Sequence, residues 1–294
     1  MKASDISGSI TALLTPFNAD GRLDTTSLRK IVSFQLEKKA HGIFPVGTTG
    51  MGLLMSVEER KKAAEVVIAE VAGKVPVVVH TGAMDTNTTV ELSRHAERQG
   101  ASAVSCITPF FFRSDDATMV RHYKSVAESV SIPVFAYNNP KSSGVNLGMS
   151  AVESMQKSGT ISGVKESSRD FLRVVEYVER FPKDFVVING TEGYAFPALM
   201  MGVKGMISAV QNIVPELLVS LYELFVRGDF KEAVETQRKI TAVKRITDQH
   251  GLGALYVILK DRGVECGFPR SPVLPLGSEE TEKVLSEWKK VHQL

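Results

Sequence analysis

The chain has 294 residues, 43% of them hydrophobic, which is enough to form one large α/β domain or two ordinary ones around a sizeable core. Its 35 basic and 33 acidic residues leave a formal net charge of +2, so the composition gives no reason to expect a nucleic acid or an anionic membrane as partner. We therefore expect a small-molecule partner.

The ends and the cysteines narrow the class of protein further. The N-terminal segment lacks the apolar region of a secretory signal, and no apolar run is long enough to span a bilayer, which predicts a cytoplasmic protein. Cys106 and Cys266 are far apart and outside any CxxC motif. This spacing favours two packing thiols over a disulfide or a zinc site.

Short apolar segments alternate with longer amphipathic ones along most of the chain. Predicted strands begin near Ser9, His41, Val75, Ser102, Pro133, Ile161, Phe185 and Gly205. Helical periodicity is found in Thr26 to Lys39, Val57 to Val71, Thr88 to Gln99, Met119 to Ser129 and Phe171 to Phe181. Eight β/α units over about 220 residues predict a parallel (β/α)8 TIM barrel, for which about 250 residues is typical. An open doubly wound sheet is the alternative.

Beyond about Arg227 the strand signal stops, and a helical extension is predicted. It comprises helices over Asp229 to Gln249, Leu252 to Asp261 and Glu279 to His292, with a proline-rich strap, Gly267-Phe268-Pro269-Arg270-Ser271-Pro272, before the last. We expect a barrel over residues 1–227 and C-terminal helices over 228–294. No flexible linker separates them, so the helices should pack on the barrel.

A lone lysine, Lys165, ends the sixth predicted strand, and Tyr137 ends the fifth. Apolar surroundings lower the pKa of a lysine and release the neutral amine that attacks ketones. Because alternate residues share one strand face, both side chains are expected at the carboxyl rim of the barrel interior, with Glu166 pointing away. This pattern predicts a Schiff base at Lys165, with Tyr137 moving protons. The alternative is a lysine that reaches solvent and a tyrosine that fills the barrel.

The second predicted strand opens into the loop Gly47-Thr48-Thr49-Gly50-Met51-Gly52. Its backbone N–H groups and two hydroxyls can converge on a carboxylate or a phosphate, although the same residues also suit a tight strand-to-helix turn. The loop matches neither a dinucleotide fingerprint nor a P-loop. Ser56 and Glu59 form a capping box, which predicts that the next helix begins there.

Together these motifs resemble those of the pyruvate-dependent class I aldolases, which include dihydrodipicolinate synthase, N-acetylneuraminate lyase and 2-keto-3-deoxygluconate aldolase. The resemblance covers nearly the whole chain. The matching motifs are Thr15-Pro16-Phe17, Gly47-Thr48-Thr49-Gly50, Thr108-Pro109-Phe110, Tyr137-Asn138-Asn139-Pro140, Gly163-Val164-Lys165-Glu166 and Gly205-Met206-Ile207-Ser208. The resemblance implies a (β/α)8 barrel with C-terminal helices, a homotetramer, and no metal or organic cofactor.

The same resemblance implies a reaction, the reversible aldol cleavage or condensation of pyruvate with an aldehyde. Lys165 would form the imine, Tyr137 would act as acid and base, and Thr48 would complete its proton relay. The implied substrate-binding residues are Thr49, which would hold the pyruvate carboxylate, Ile207 through its backbone, Gly47, Gly190 and Ser208.

Three departures from the motifs of dihydrodipicolinate synthase affect the prediction of which aldehyde is the substrate. Phe111 replaces a relay tyrosine that a neighbouring subunit supplies in the synthases, Ser142 replaces an arginine that clamps the aldehyde's carboxylate, and Met51 replaces a common glutamate. The first two count against dihydrodipicolinate synthase, while Met51 and the strap Gly267-Phe268-Pro269-Arg270-Ser271-Pro272 resemble the 2-keto-3-deoxy sugar acid aldolases, which are the favoured class. The alternatives are dihydrodipicolinate synthase, N-acetylneuraminate lyase, given Glu192 and Ser208, and a silent barrel that only binds a keto acid.

For two further sets of polar residues, we prefer a structural role over a functional one. His80, at the end of the third strand, could touch the aldehyde half of the substrate but is expected to be a hydrogen-bonded structural residue. The basic residues of the long C-terminal helix are expected to form a solvated face. They are Arg238, Lys239, Lys244 and Arg245.

Overall fold

The computed structural model describes residues 2–112 and 114–292, and within them the predicted (β/α)8 barrel with its C-terminal helical part is confirmed. The strands are β1 (Gly8–Ala12), β2 (Gly42–Phe44), β3 (Val78–His80), β4 (Ala103–Ile107), β5 (Val134–Asn138), β6 (Gly163–Glu166), β7 (Val186–Asn189) and β8 (Gly205–Ser208). All pairings between them are parallel, in the order β2-β1-β8-β7-β6-β5-β4-β3. A parallel bridge between Ile43 and Val77 joins β2 to β3, so the open-sheet alternative is wrong.

Helices cover the outside of the barrel and continue beyond it. They are α1 (Thr25–Glu37), α2 (Val57–Val71), α3 (Thr86–Arg98), α4 (Asp116–Ala127), α5 (Pro140–Ser143), α6 (Met149–Lys157), α7 (Phe171–Arg180), α8 (Ala195–Met201), α9 (Pro215–Arg227), α10 (Phe230–His250), α11 (Gly253–Asp261) and α12 (Ser278–His292). The predicted capping box is present: the Ser56 hydroxyl accepts from Glu59 N–H, and the Glu59 carboxylate accepts from Ser56 N–H. That box ends the loop after β2 at a defined residue.

Two hydrophobic layers position the site. One lies between the sheet and the helices. The other fills the barrel interior, and its residues include Ile10, Phe44, Ile107, Phe135, Tyr137, Val186, Ile188 and Ile207. Phe135 and Tyr137 therefore face inward on β5, as strand alternation requires. The adjacent strand β6 brings Lys165 opposite Tyr137 in the parallel register.

The C-terminal helices share the outer hydrophobic layer with the barrel, to which Ile240, Leu255 and Trp288 contribute. The Tyr256 hydroxyl on α11 donates to the carbonyl of Thr15 at 2.7 Å. This packing agrees with the expectation from the sequence, whereas the division at residue 227 stays a prediction. No helix in the described part of the chain combines the length and the apolar character needed to cross a membrane.

The strap after α11 holds the start of the chain. Phe268 exchanges backbone hydrogen bonds with Phe17, at 2.8 and 3.0 Å. The Arg270 guanidinium lies 4.1 Å from the centre of the Phe17 ring and pairs with the Glu59 carboxylate, with Nη1 and Oε2 2.7 Å apart. The extension is thus tied to the N-terminal end of α2.

The contact between β1 and β8 gives a testable constraint. A Cβ atom at Gly205 would lie 2.2 Å from the carbonyl oxygen of Gly8, so Gly205→Ala must push the two strands apart. We expect the free energy of unfolding, measured with urea, to fall by about 1–3 kcal/mol. The control is Gly277→Ala, where a Cβ atom meets nothing within 4 Å. Equal effects of the two substitutions would contradict the close strand approach.

Candidate active site

Lys165 lies at the carboxyl end of β6 with only 4% of its surface exposed. Its Nζ atom is 3.9 Å from the centre of the Tyr137 ring and 4.0 Å from that of Phe44. Burial lowers the pKa of Lys165, and the opposing interactions with Tyr137 and Glu192 do not reverse the shift. The buried amine can therefore give up its proton at a lower pH than an ordinary lysine.

The neighbouring acid, Glu166, faces the opposite side of the strand, as the alternation of side chains predicts. Its Oε2 atom pairs with Arg173 Nε at 3.2 Å and accepts from Asn138 Nδ2 at 2.9 Å, while its Oε1 atom accepts from Ser168 N–H at 2.6 Å. These partners hold the buried carboxylate between the sheet and the helices. No ion pair to Lys165 forms among the described residues.

The Tyr137 hydroxyl is held from two sides. Asn139 Nδ2 donates to it at 2.9 Å, and Thr48 Oγ1 lies 3.3 Å away. Because the asparagine amide occupies an acceptor position, the phenolic proton is free to point toward Thr48. The Tyr137 ring also makes edge contacts with Phe44 and His80, at centroid distances of 6.1 and 5.9 Å. The phenol is therefore fixed beside the lysine amine.

The loop after β2 is tightly folded. Gly52 N–H donates to the Gly47 carbonyl at 3.0 Å, and Met51 N–H donates to the Thr48 carbonyl at 3.1 Å. Val46, just before the loop, has a φ of 53°, which is a strained conformation for a β-branched residue. A Cβ atom at Gly52 would lie 1.8 Å from the Val46 carbonyl oxygen, so the turn requires glycine there.

These elements surround a cavity of about 500 Å³ at the carboxyl ends of the strands. Small-molecule sites are typically about 300–1,000 Å³. Six of the eight residues that the resemblance implies line it, namely Lys165, Tyr137, Thr48, Thr49, Gly190 and Ile207. The rest of the lining comes from Ala12, Asn139, Lys141, Ser142, Ser167, Arg169, Thr191, Glu192, Gly193, Ala209, Lys244, Asp248 and Leu252.

The remaining two predicted residues, Gly47 and Ser208, lie behind the lining. A Cβ atom at Gly47 would be 2.5 Å from the Phe44 ring, so this glycine lets the ring approach the loop. The Ser208 hydroxyl donates to Glu192 Oε1 at 3.0 Å. Both residues therefore support residues that contact the cavity or the lysine, and direct substrate binding by either stays a prediction.

Two glycines act by close packing. Gly190 does line the cavity, and a Cβ atom there would lie 1.9 Å from the Ser167 hydroxyl oxygen. Gly163 is on β6, two residues before the lysine, and a Cβ atom there would lie 2.2 Å from the Val186 carbonyl oxygen and 2.6 Å from the Phe135 ring. Both glycines bring the strand ends on either side of Lys165 close together.

Other candidates lie outside the cavity. His80 is buried, its Nδ1 contacts the Val46 carbonyl at 3.1 Å and its Nε2 accepts from Ile107 N–H at 3.4 Å. Burial, together with the charges of Arg60 and Lys165, lowers the pKa of His80 well below its usual value. A neutral histidine with both nitrogens bonded to the backbone is structural.

Phe111 is also away from the cavity. Its side chain is 81% exposed, its φ is 77°, and its ring meets that of Phe112 edge to face. The two cysteines are buried, and burial raises the pKa of each to about 11. Such thiols are poor nucleophiles at neutral pH.

Sequence patterning misses part of the lining. Asn139 belongs to a recognised motif, but its bond to Tyr137 depends on the turn into α5. Nothing in the sequence around Arg169 or Asp248 indicates that these residues line the cavity. The expected solvated face is wrong for Lys244, whose side chain is only 19% exposed and pairs with Asp248 at 2.5 Å.

The buried amine should destabilise the fold, which gives a second prediction. Burial holds the pKa of Lys165 below 10.5, so the unfolded state binds more protons than the folded state between these two values and the stability rises with pH across that window. Lys165→Met should therefore raise the free energy of unfolding at pH 7 by about 1–3 kcal/mol, similar to other replacements of buried charged groups by apolar ones. Its advantage should shrink as pH approaches 10.5.

Urea unfolding at several pH values measures this difference. The control is Lys204→Met, at an exposed lysine just before β8, which should change the stability little at any of these pH values. A loss of stability in Lys165→Met at pH 7 would contradict a desolvated amine.

Known proteins are similar to this chain over nearly its whole length. The model of the Dihydrodipicolinate synthetase family matches residues 5–291. The 4-hydroxy-tetrahydrodipicolinate synthase of Bartonella tribocorum is 35% identical over 286 residues, 96% of each chain. A prophage protein of the dihydrodipicolinic acid synthase family from E. coli K12, solved in complex with pyruvate, is 25% identical with a TM-score of 0.94, covering 98% of this chain and 99% of that one.

A Clostridium difficile protein, CdNal, solved in complex with mannosamine, shares the fold with a TM-score of 0.93 at 24% identity, over 97% of this chain and 99% of that one. The family match spans nearly the whole chain and includes both the strand that carries Lys165 and the strand that carries Tyr137. This chain is therefore a member of the dihydrodipicolinate synthetase family, the pyruvate-dependent class I aldolases and lyases.

Proposed function

We propose that the protein forms a Schiff base between Lys165 and pyruvate and catalyses the reversible aldol cleavage or condensation of pyruvate with an aldehyde. One observation carries the proposal. A buried amine without a carboxylate partner among the described residues lies 3.9 Å from the ring of Tyr137 at the carboxyl rim of a barrel. An active nucleophilic lysine needs this desolvation and a nearby proton carrier.

The neutral Nζ attacks the ketone carbon of pyruvate, and the resulting carbinolamine loses its hydroxyl as water when Tyr137 supplies a proton. The iminium then withdraws electrons, so the methyl group of pyruvate gives a proton to the Tyr137 phenolate and the adduct becomes an enamine. A new C–C bond forms between that carbon and the aldehyde carbon, and the aldehyde oxygen takes a proton from Tyr137. Hydrolysis releases the product and restores the amine.

The loop after β2 is proposed to hold the pyruvate carboxylate. Thr48 and Thr49 line the cavity on the side where Thr48 approaches the Tyr137 hydroxyl. Backbone N–H groups and hydroxyls suit a carboxylate, because they supply donors without adding a charge that would compete with the iminium. Ile207, at the end of β8, would contact pyruvate through its backbone.

The proposed aldehyde derives from a sugar acid, as in 2-keto-3-deoxy sugar acid aldolases. Hydroxyl and amide groups of Asn139, Ser142, Ser167 and Thr191 are part of the lining and can bind the hydroxyls of such a chain. A second candidate is 4-hydroxy-tetrahydrodipicolinate synthase, the name of the relative that is 35% identical. Ser142 is evidence against this candidate, because a serine cannot bind the carboxylate of the aldehyde with two parallel hydrogen bonds as an arginine does.

The remaining alternative is N-acetylneuraminate lyase, and the assembly of the protein is proposed from its resemblance to the family. Sialic acid cleavage has less support, because Glu192 and Ser208 bond to each other. A homotetramer and a cytoplasmic location complete the proposal.

Covalent trapping tests the central step. The protein is incubated with pyruvate, reduced with borohydride and digested, and we expect the adduct on Lys165 by mass spectrometry. Lys165→Met should give no adduct, while Lys204→Met should be trapped as fully as the wild type. No adduct on Lys165 in the wild type would contradict the proposal. An adduct without turnover of either 2-keto-3-deoxygluconate or aspartate semialdehyde would favour a silent keto-acid-binding barrel.

A second test isolates the phenol. Tyr137→Phe keeps the ring beside Lys165 and removes the proton carrier, so kcat should fall about 10²–10⁴-fold with little change in stability. Thr48→Val should have a smaller effect in the same direction, because it removes only the partner of the hydroxyl. Steady-state pyruvate release measures both.

The control for this series is Tyr222→Phe, a tyrosine on α9 whose ring packs against His41. It should leave kcat unchanged. If Tyr137→Phe turned over as fast as Tyr222→Phe, another group would have to carry the proton.

A further inference from the structure

Three basic side chains border the outer part of the cavity and come from separate elements of the fold. Lys141 lies on α5, Arg169 lies in the loop between β6 and α7, and Lys244 lies on α10. Asp248, one turn beyond Lys244, pairs with Arg169 at 3.1 Å and with Lys244 at 2.5 Å. The four residues together are called the basic rim.

The basic rim is not neutralised by its own acid. Burial acts to raise the pKa of Asp248, but the bonds from Lys244 and Arg169 outweigh it and keep the pKa below the usual value, so the carboxylate is ionised. It offsets only one of the two cations that it contacts. Lys141 forms no ion pair with any described residue. Three cations and one anion therefore leave a charge of +2 facing the cavity.

The remaining acid of the lining lies closer to the lysine. Glu192 Oε1 accepts from Ser208 Oγ at 3.0 Å and from Ala209 N–H at 2.8 Å. Its charge acts on Lys165, where it opposes in part the lowering of the pKa by burial. Glu192 thus belongs to the electrostatics of the pyruvate half of the cavity.

The backbone conformation of Arg169 indicates that the loop between β6 and α7 fixes the position of this residue. Its φ is 68°, in the left-handed region that few residues other than glycine adopt. Neighbouring bonds hold this conformation: Ser168 N–H donates to Glu166, and Asp170 N–H donates to the Ser168 hydroxyl. Strained residues persist where the surrounding structure overdetermines them, and they cluster at binding sites.

We infer that the aldehyde half of the substrate carries an anionic group, a carboxylate or a phosphate, at the end remote from its carbonyl, and that the basic rim binds this group. The inference rests on the proposed function. The threonines after β2 already serve the carboxylate of pyruvate, so a neutral aldehyde would leave the +2 charge at the rim without a partner. A second anion neutralises it.

The first test compares three aldehydes in condensation with pyruvate at low ionic strength. They are glyceraldehyde, which is neutral, glyceraldehyde 3-phosphate, and tartronate semialdehyde, which ends in a carboxylate. We expect kcat/KM for at least one anionic aldehyde to exceed that for glyceraldehyde about tenfold, and the advantage should shrink as salt screens the rim.

The second test changes the rim. Arg169→Asn removes the charge with a residue that tolerates the left-handed backbone, and Lys244→Gln removes the other charge next to Asp248. Each should lower the ratio of kcat/KM for the anionic over the neutral aldehyde about threefold to fivefold, the range expected for a partly exposed ion pair. The double variant should also lose most of the salt dependence.

Arg180→Gln is the matched control. Arg180 has the same side-chain exposure as Arg169, 51%, and it also forms ion pairs, with Glu153 and Glu176, away from the cavity. It should leave the ratio unchanged. A general loss of stability would lower both rates equally and would not move the ratio.

The outcomes are distinct. A preference for the phosphate or for the carboxylate that falls in the rim variants supports the inference and identifies the anion. If the enzyme is trapped by pyruvate but uses all three aldehydes equally, or if the rim variants keep the wild-type ratio, the inference is wrong while the proposed function stands. Absence of the borohydride adduct would instead remove the proposed function itself.

Discussion

The removal of one amine from water is the constraint on which the site depends. Lys165 lies between the rings of Tyr137 and Phe44, and its neighbour Glu166 is bonded to Arg173 on the other side of the sheet. Moving that carboxylate to the inner face would hold the amine in its charged form. The strand alternation of β6 prevents this, because adjacent residues cannot share a face. The reactivity proposed for Lys165 would therefore be a direct product of sheet geometry.

The two halves of the cavity are built in different ways. Strand ends of β5 and β6, with the tight loop after β2, supply the groups that would act on pyruvate. Short connections and C-terminal helices supply the groups that would face the aldehyde. Strand ends are held by hydrogen bonds on both sides, whereas loops and helices can differ between relatives without disturbing the barrel. Such an arrangement would let the proposed imine chemistry serve different aldehydes in different relatives.

Much of the fold and the centre of the site can be predicted from the sequence. Apolar runs and helical periodicity mark the eight strands, and the Ser56 and Glu59 box marks the start of α2, because these signals are local. Lys165 and Tyr137 can be paired because both end strands that are consecutive in the chain. The contributions of Arg169 and Lys244 cannot be anticipated, since they require α10 to lie against the loop after β6. The hydrogen bond from Asn139 to Tyr137 and the left-handed backbone of Val46 depend on turns that the amino-acid composition does not specify.

The strap has a consequence for how the molecule can be divided. The guanidinium of Arg270 holds the pKa of Glu59 at about 2, below the ordinary 4.5, so this clamp persists until strongly acid conditions. Glu59 lies in the first turn of α2, ten residues after Thr49, the second of the two threonines proposed to bind pyruvate. The C-terminal part of the chain therefore stabilises the first turn of α2 through the ion pair between Arg270 and Glu59. An isolated eight-stranded cylinder would keep the amine and the phenol but lose the brace on the turn proposed to bind the pyruvate carboxylate, and Lys244 with it, so we expect neither segment alone to be an active catalyst.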